Sequence, residues 1–426
     1  MFRAFCRLSR VAVTVALVGL MSLGAIFIGA GTSHAEGGFY TVPKQLTGAP
    51  GDVLRSEPMT VALSVPTPSG HFPADASRIM YRTTGPTGQP AAATGTVLTP
   101  KSPWRGRGSR PLVSFTVGTH GIGPQCKTSR LLGEALHYTP PLDFFVEYEL
   151  PSIYMLLSQG IAVVVTDYLP DTYLNPRGEG PATIDAARAA QRLPGAQIPA
   201  DGPVAFWGYS QGGHSAAAAA EQVSAYAPEL NVKGAFVGAP PVDMIKQLGT
   251  VDGGALVGIN GYFLNGLMGS YPATKPVIDD MLNRAGHEML RRTDGQCVVE
   301  TELTYGLRKS SELTVSGRSI QSVLASDRRT AKVIDSMTLG RTAPSTPILL
   351  LTGGADDIVS PAAVRRLGHR WCAGGTSVQL MDIPLPKIFP GLGLGHIVNM
   401  PIGELGQGFS WLNDRFNGRT APSNCR

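Results

Sequence analysis

The chain changes its hydrophobic period several times, and those changes lay out its elements. Positions 111–117 (PLVSFTV), 161–166 (IAVVVT), 232–237 (VKGAFV), 348–352 (ILLLT) and 377–383 (SVQLMDI) are short, largely apolar runs rich in β-branched residues. Such runs predict strands, and the near-continuous ones are strands buried on both faces. Between them, 147–159, 182–193 (ATIDAARAAQRL), 211–226 and 361–371 carry helix formers in an amphipathic or alanine-rich pattern. Strands alternating with helices predict a mostly parallel, doubly wound α/β sheet. Ahead of this pattern, 77–84 and 92–99 flank the turn residues GPTGQ, which predicts an antiparallel hairpin at one sheet edge. Positions 51–58 are expected to be a surface lead-in.

The alternation stops between Pro240 and Pro347, where no buried strand is visible. Helical stretches at 276–291 and 320–337 lie among glycine-rich and charged pieces. A structureless loop of that length does not suit a compact domain. The expectation is an inserted, mainly helical cap at 240–346, dividing a core formed by 36–239 and 347–426. A final helix is expected at 402–416, after a Gly/Pro-rich loop. No internal repeat is present.

Low charge and the first segment together point to an exported chain. Only 16% of the 426 residues are charged, against 43% hydrophobic. Arg3, Arg7 and Arg10 precede an apolar run from Val11 to Ala30, and Ser33-His34-Ala35 offers small residues at the right spacing. This reads as a secretory signal peptide at 1–35, with an uncleaved membrane anchor as the alternative. The expected location is extracellular or the cell envelope. Cleavage would leave 33 basic residues against 31 acidic, so nothing points to nucleic acid. Cys126, Cys297, Cys372 and Cys425 would remain, an even number suited to disulfides with three pairings open. None shows C-x-x-C spacing, so no metal site is expected. No cofactor is implied, and the chain is expected to be a monomer.

The chemistry centres on Pro203 to His214 (PVAFWGYSQGGH), a buried strand, a sharp turn and a helix start. Ser210 sits at the apex with Gly208 and Gly212 two residues to either side, the G-x-S-x-G nucleophile elbow. Glycine fills 52 of 426 positions, so the motif alone is weak, and its strand-to-helix context carries the signal. A serine nucleophile needs a histidine base, and the base needs an acid; in this architecture the order is Ser, acid, His. Asp356 follows the strand 348–352 by a short glycine-rich turn and is the preferred acid, with Asp357 the runner-up and Asp243 less suited. Both aspartates could instead cap the helix starting near Pro361. Of the histidines after Asp356, His369 lies in a helical stretch and His396 in the loop GLGLGHI, so His396 is the expected base. His214 follows the elbow by one helical turn, and its chain position does not suit the base. The backbone N–H of Gln211 is the expected first oxyanion donor, and His120, or else Thr119 or Gly121, the second. The cap stretch 253–271, with Leu256, Val257, Ile259, Phe263, Leu264, Leu267 and Met268, is either an acyl tunnel or ordinary core.

Taken together, Thr94-Gly95-Thr96-Val97, Gly118-Thr119 with Cys126 downstream, Asp167-Tyr168, Asp185 to Ala190, Gly202 to Gly213, Tyr226 to Leu230, Gly238 to Pro241 and the Gly353 to Val359 turn resemble the secretory lipase family of actinobacteria and fungi, the Candida lipase A type. The resemblance runs from about Gly51 to the C-terminus. It implies an α/β-hydrolase core, a helical cap, and ester hydrolysis without a cofactor by Ser210, Asp356 and His396. It also implies the disulfides Cys126–Cys297 and Cys372–Cys425. Leu169 to Tyr173 stands where a glycine-containing loop is expected, and His120 where a glutamine is frequent. The expected substrate is an acylglycerol or other long-chain lipid ester, met at a lipid–water interface. A short-chain esterase, an acyltransferase and an inactive surface-binding protein are the alternatives. A nucleotide-binding reading fails for want of a P-loop lysine.

Overall fold

A computed structural model describes residues 38–62, 72–387 and 390–425. The expected signal peptide at 1–35 lies outside them. The described chain is built on one nine-stranded sheet, ordered β1-β2-β3-β7-β4-β8-β9-β10-β11. Its members are β1 (Val53–Met59), β2 (Ala74–Thr84), β3 (Pro90–Pro100), β4 (Leu112–Thr116), β7 (Ala162–Thr166), β8 (Val204–Tyr209), β9 (Val232–Gly238), β10 (Ile348–Gly353) and β11 (Val378–Ile383). β5 (His137–Thr139) and β6 (Asp143–Phe145) form a separate small hairpin. From β7 to β11 every pairing is parallel, and β1, β2 and β3 add an antiparallel edge. With its nucleophile-elbow turn, this is the α/β-hydrolase fold.

The strand period explains how the sheet is covered. Phe206 and Trp207 are neighbours on β8, so they face opposite sides. Phe206 joins a core with Ala186, Ala190, Ala216 and Ala220, from helices α2 (Pro176–Arg192) and α3 (Gln211–Tyr226). Trp207 joins a second core with Ile153 and Leu157 of α1 (Leu150–Ser158) and with Trp411 and Leu412 near the C-terminus. Alanine-rich faces let α2 and α3 lie close against the central strands, which are buried on both sides.

Between β9 and β10 no strand occurs among the described residues, and the chain runs through α4 (Met244–Thr250), α5 (Ile259–Ser270), α6 (Val298–Tyr305) and further helices. The single helices expected at 276–291 and 320–337 are each two. Asn283 caps Arg284–Thr293 and Asp327 caps Arg328–Asp335, and each cap side chain starts the second helix of its pair. The lead-in at 51–58 is instead the edge strand β1, paired antiparallel with β2. Its sequence shows no clean alternation, because neither of its faces is deeply buried.

Both disulfides implied by the family resemblance are formed. Cys126–Cys297 joins the segment after β4 to the N-cap of α6, across 171 positions of sequence. Beside it, Gly121 and Cys297 form a β-bridge. Closing so long a loop restricts the unfolded chain strongly, so a Cys126→Ala/Cys297→Ala variant should lose about 2–5 kcal/mol of stability. A urea-unfolding midpoint measured against the parent protein checks this.

Candidate active site

The elbow depends on close backbone approach. Ser210 has φ 59° and ψ −120°, a conformation that costs a non-glycine residue about 1–3 kcal/mol. The surroundings leave no alternative. A Cβ on Gly208 would lie 2.3 Å from the Gly212 carbonyl, and one on Gly212 would lie 2.0 Å from the Thr116 oxygen. The Ser210 N–H donates to Gly238 O at 2.9 Å, fixing the turn to β9. Ser210 is the N-cap of α3, so the N–H of Gln211, first in the helix, has no intrahelical acceptor. The Gln211 side chain turns away and donates to Glu179 at 2.9 Å.

Asp356 and His396 are brought together. Asp356 Oδ2 accepts from His396 Nδ1 at 2.8 Å, and Oδ1 accepts the N–H groups of Ile358 (3.0 Å) and Val359 (2.8 Å). A carboxylate held by three donors is fixed in direction and compensated in burial. Donation through Nδ1 leaves Nε2 as the acceptor nitrogen. Nε2 has no hydrogen-bond partner among the described residues, so its bond to Ser210 is not closed in this structure. Such bonds tighten when substrate enters. The His396 ring rests on Tyr209, the residue before Ser210, with ring centres 4.9 Å apart, and the Tyr209 hydroxyl donates to His396 O at 2.7 Å.

Several expectations need correction. His396 is not in a loop. It lies in the first turn of α8 (Leu394–Pro401), which continues through a π-helical turn (Ile402–Gly408) into α9 (Phe409–Phe416). Gly393, at φ 79°, turns the chain into α8. Neither aspartate caps α7 (Pro361–Ala373), because Ser360 does so. Asp357 instead accepts the Gly393 N–H at 2.8 Å, tying the acid's turn to the histidine's helix. Asp243 is the N-cap of α4, and His369 is exposed. His214 is buried behind the elbow, its Nδ1 2.9 Å from Glu179. Nothing in the sequence marked Glu179, which is fully buried and also accepts from Leu174 N and Ser215 Oγ.

The loop after β4 is pinned on all sides. Gly118 N–H donates to Glu149 at 3.1 Å, Thr119 Oγ1 pairs with the Tyr173 hydroxyl at 2.9 Å, and His120 O accepts from Val298 N at 2.8 Å. The His120 imidazole points inward, between Gly118 O and Glu147. The segment Leu169 to Tyr173 docks on α5, in the helical stretch between β9 and β10. Asp171 packs where a Cβ on Gly269 would sit, and the Ser270 hydroxyl donates to Asp171 O. Of the candidate tunnel residues, Ile259 and Phe263 line a small cavity with Tyr173, Leu174, Met244 and Leu248. Leu264 and Leu267 are buried in the core. The cavity, about 10 Å³, holds roughly one water, so an acyl chain would have to widen it.

The fold and this arrangement define an α/β-hydrolase with a strained serine elbow and an Asp–His pair beside it. The sequence model of the secretory lipase family matches residues 139–424, and the chain belongs to that family. It is 27% identical to a "probable inactive lipase" of Mycobacterium tuberculosis, over 87% of this chain and 79% of that protein. It is 25% identical to the secreted triacylglycerol lipase LIP1 of Malassezia furfur, over 88% of this chain and 74% of that one. The structure of Candida antarctica lipase A in its closed state superposes with a TM-score of 0.76 at 24% identity, covering 92% of this chain and 88% of the other. The rice cell wall degrading esterase LipA of Xanthomonas oryzae superposes at 0.71 with 20% identity, over 86% and 100%. These two likenesses speak for the fold.

Replacing Gly212 with Ala tests the elbow's packing. Its Cβ would strike the Thr116 backbone oxygen, not a movable side chain. The variant should lose at least about 3 kcal/mol of stability or fail to fold, read by thermal unfolding.

Proposed function

We propose that this protein is an exported ester hydrolase that cleaves long-chain lipid esters through Ser210, His396 and Asp356. The observation that carries the reading is the Asp356–His396 hydrogen bond placed beside the strained Ser210 turn. His396 Nε2 takes the serine proton as Oγ attacks the ester carbonyl, and Asp356 holds the imidazole in that tautomer and stabilises the imidazolium. The N–H of Gln211 and that of His120 receive the developing oxyanion. The imidazolium then protonates the leaving alcohol, and water releases the acyl group by the reverse sequence. Residues 240–346 act as the cap over this centre, and export removes 1–35. A relative named a "probable inactive lipase" makes loss of activity the rival reading, which the presence and order of all three residues here oppose.

Exposed apolar side chains favour a lipid over a soluble ester. Leu136, Tyr138, Leu142 and Phe144 are exposed on and beside the β5–β6 hairpin, whose β6 packs against cap helix α6. Leu303 and Leu307 are exposed on and just after α6, and Leu307 N bonds to Gly254 O, next to the contact between Ala255 N and Gly391 O. Gly391 leads into α8, where Ile397 and Val398 are exposed beside His396. Apolar surface gathered from three segments around one site marks an interaction surface, here for aggregated lipid.

A fluorophosphonate probe should label the wild type and not Ser210→Ala. If both label equally, the mechanism is wrong. Asp356→Asn should lower kcat by about ten-thousand-fold, as a lost triad acid does. Asp357→Ala, which removes the acceptor for the Gly393 N–H, should cost roughly tenfold, the worth of one hydrogen bond to a carboxylate. In a p-nitrophenyl ester series, preference for palmitate over acetate is expected, and the reverse preference would leave a short-chain esterase. A Leu142→Ser/Phe144→Ser variant should lower the ratio of emulsified-triacylglycerol to soluble-ester activity by about tenfold, from the lost burial of two apolar side chains.

A further inference from the structure

Behind the candidate oxyanion loop lies a second group of acids that the reaction above does not use. Glu147, Glu149 and Glu404 are all buried, at 3%, 1% and 0% exposure. They come from the segment entering α1 and from the π-helical turn that follows α8. Glu149 Oε1 accepts the Gly118 N–H at 3.1 Å, and its Oε2 has no hydrogen-bond partner among the described residues. Glu404 accepts from Trp207 Nε1 on the elbow strand at 3.1 Å and from Ser152 Oγ at 2.5 Å. Glu147 accepts the Glu149 N–H and lies 3.1 Å from His120 Nε2. Tyr148 stacks on the His120 ring, and the Tyr168 hydroxyl donates to Val117 O.

Proton counting constrains this cluster. His120 Nδ1 faces a carbonyl oxygen, which only accepts, so Nδ1 carries a hydrogen. Nε2 faces a carboxyl oxygen, so one more proton lies between His120 and Glu147. Glu404 has a donor on each oxygen. Glu149 has one donor, and the ionisable groups acting on it are Glu404 and Glu147, with no lysine or arginine among them. Tyr148 and Tyr168 are the other titratable groups facing it. A second uncompensated anion in that space is unfavourable.

We propose that Glu149 is a positioning residue: as the neutral acid beside Glu404 it holds the Gly118 N–H, and with it the Gly118–His120 loop, and loss of its proton sets the alkaline limit of activity. The inference rests on the proposed use of that loop as an oxyanion donor. Burial, then Glu404 and Glu147, push the Glu149 carboxyl well above the usual range, against the opposing effect of the Gly118 N–H. Burial also pushes Glu404 up to about 7. The sign follows. In the folded protein Glu149 binds its proton more tightly than when unfolded, so stability falls as pH rises from the unfolded value through the folded one. Ionisation puts two carboxylates together in a dry site, and admitting water to them loosens the loop.

The experiment measures kcat/KM for p-nitrophenyl butyrate and the midpoint of thermal unfolding between about pH 5 and 10, on the full exported protein. The wild type should lose both activity and stability on the alkaline side. Glu149→Gln keeps an acceptor for Gly118 and cannot ionise, so its alkaline fall should move up by about one unit or more. Glu149→Ala removes the acceptor and should lower kcat by about tenfold or more with little change in KM, as a displaced oxyanion donor does. The proposal is overturned if the wild type shows no alkaline fall, or if Glu149→Gln leaves that fall in place. Should the glutamine variant not fold, the unfolding profile of Glu149→Ala decides: the proposal fails if its alkaline fall matches the wild type's, since Glu404, also raised, gives a fall of the same sign. Hydrolysis absent at every pH would sink the functional reading, while the unfolding profile still tests Glu149.

Discussion

Three backbones meet at Ser210, and the rest of the structure is arranged to let them. β4 reaches in with the Thr116 carbonyl, β8 with Gly208, and β9 with the Gly238 carbonyl that receives the serine N–H. A left-handed residue on so short a turn is unstable alone and persists because its surroundings over-determine it. That requires the parallel order β4-β8-β9 and a helix leaving at once from the turn. It also sets where other groups must arrive. β10 lies beside β9, so its C-terminal turn carries Asp356 close to the elbow, and α8 folds back to place His396 on Tyr209.

The chain is sparing with charge, yet it buries many of its acids around this centre. Glu179 receives four hydrogen bonds from Leu174, Gln211, His214 and Ser215, and Asp356 receives three. Each carboxylate is fully used, which makes its burial tolerable and its neighbours rigid. Glu149 departs from the pattern, with one oxygen unpartnered. Asp357, beside Asp356, likewise has one oxygen without a hydrogen-bond partner among the described residues.

The helical insertion is attached to the core at points that also bear on the site. Cys297 is bonded to Cys126, Val298 to the His120 carbonyl, and Ser270 to Asp171. The substitution of Leu169 to Tyr173 for a glycine-containing loop thus has a structural counterpart, since that segment is packed against α5. A change there alters how the helices between β9 and β10 seat on the core.

The sequence by itself determined the class of fold, the elbow and the order of the candidate residues. Those features rest on local rules: strand and helix periods, glycine where no Cβ fits, and an acid and a histidine downstream. Family likeness extended this to both disulfides. The sequence did not reveal β1, whose faces carry no clean alternation, or the helix under His396, whose glycine-rich entry resembles a loop. It gave no sign of Asp357 reaching Gly393, of Glu179 behind the elbow, or of Glu149 beside Glu404. Those partners lie between about 30 and 260 positions apart, and only packing brings them together. A carboxylate's role depends on which donors surround it, and that choice belongs to the tertiary structure.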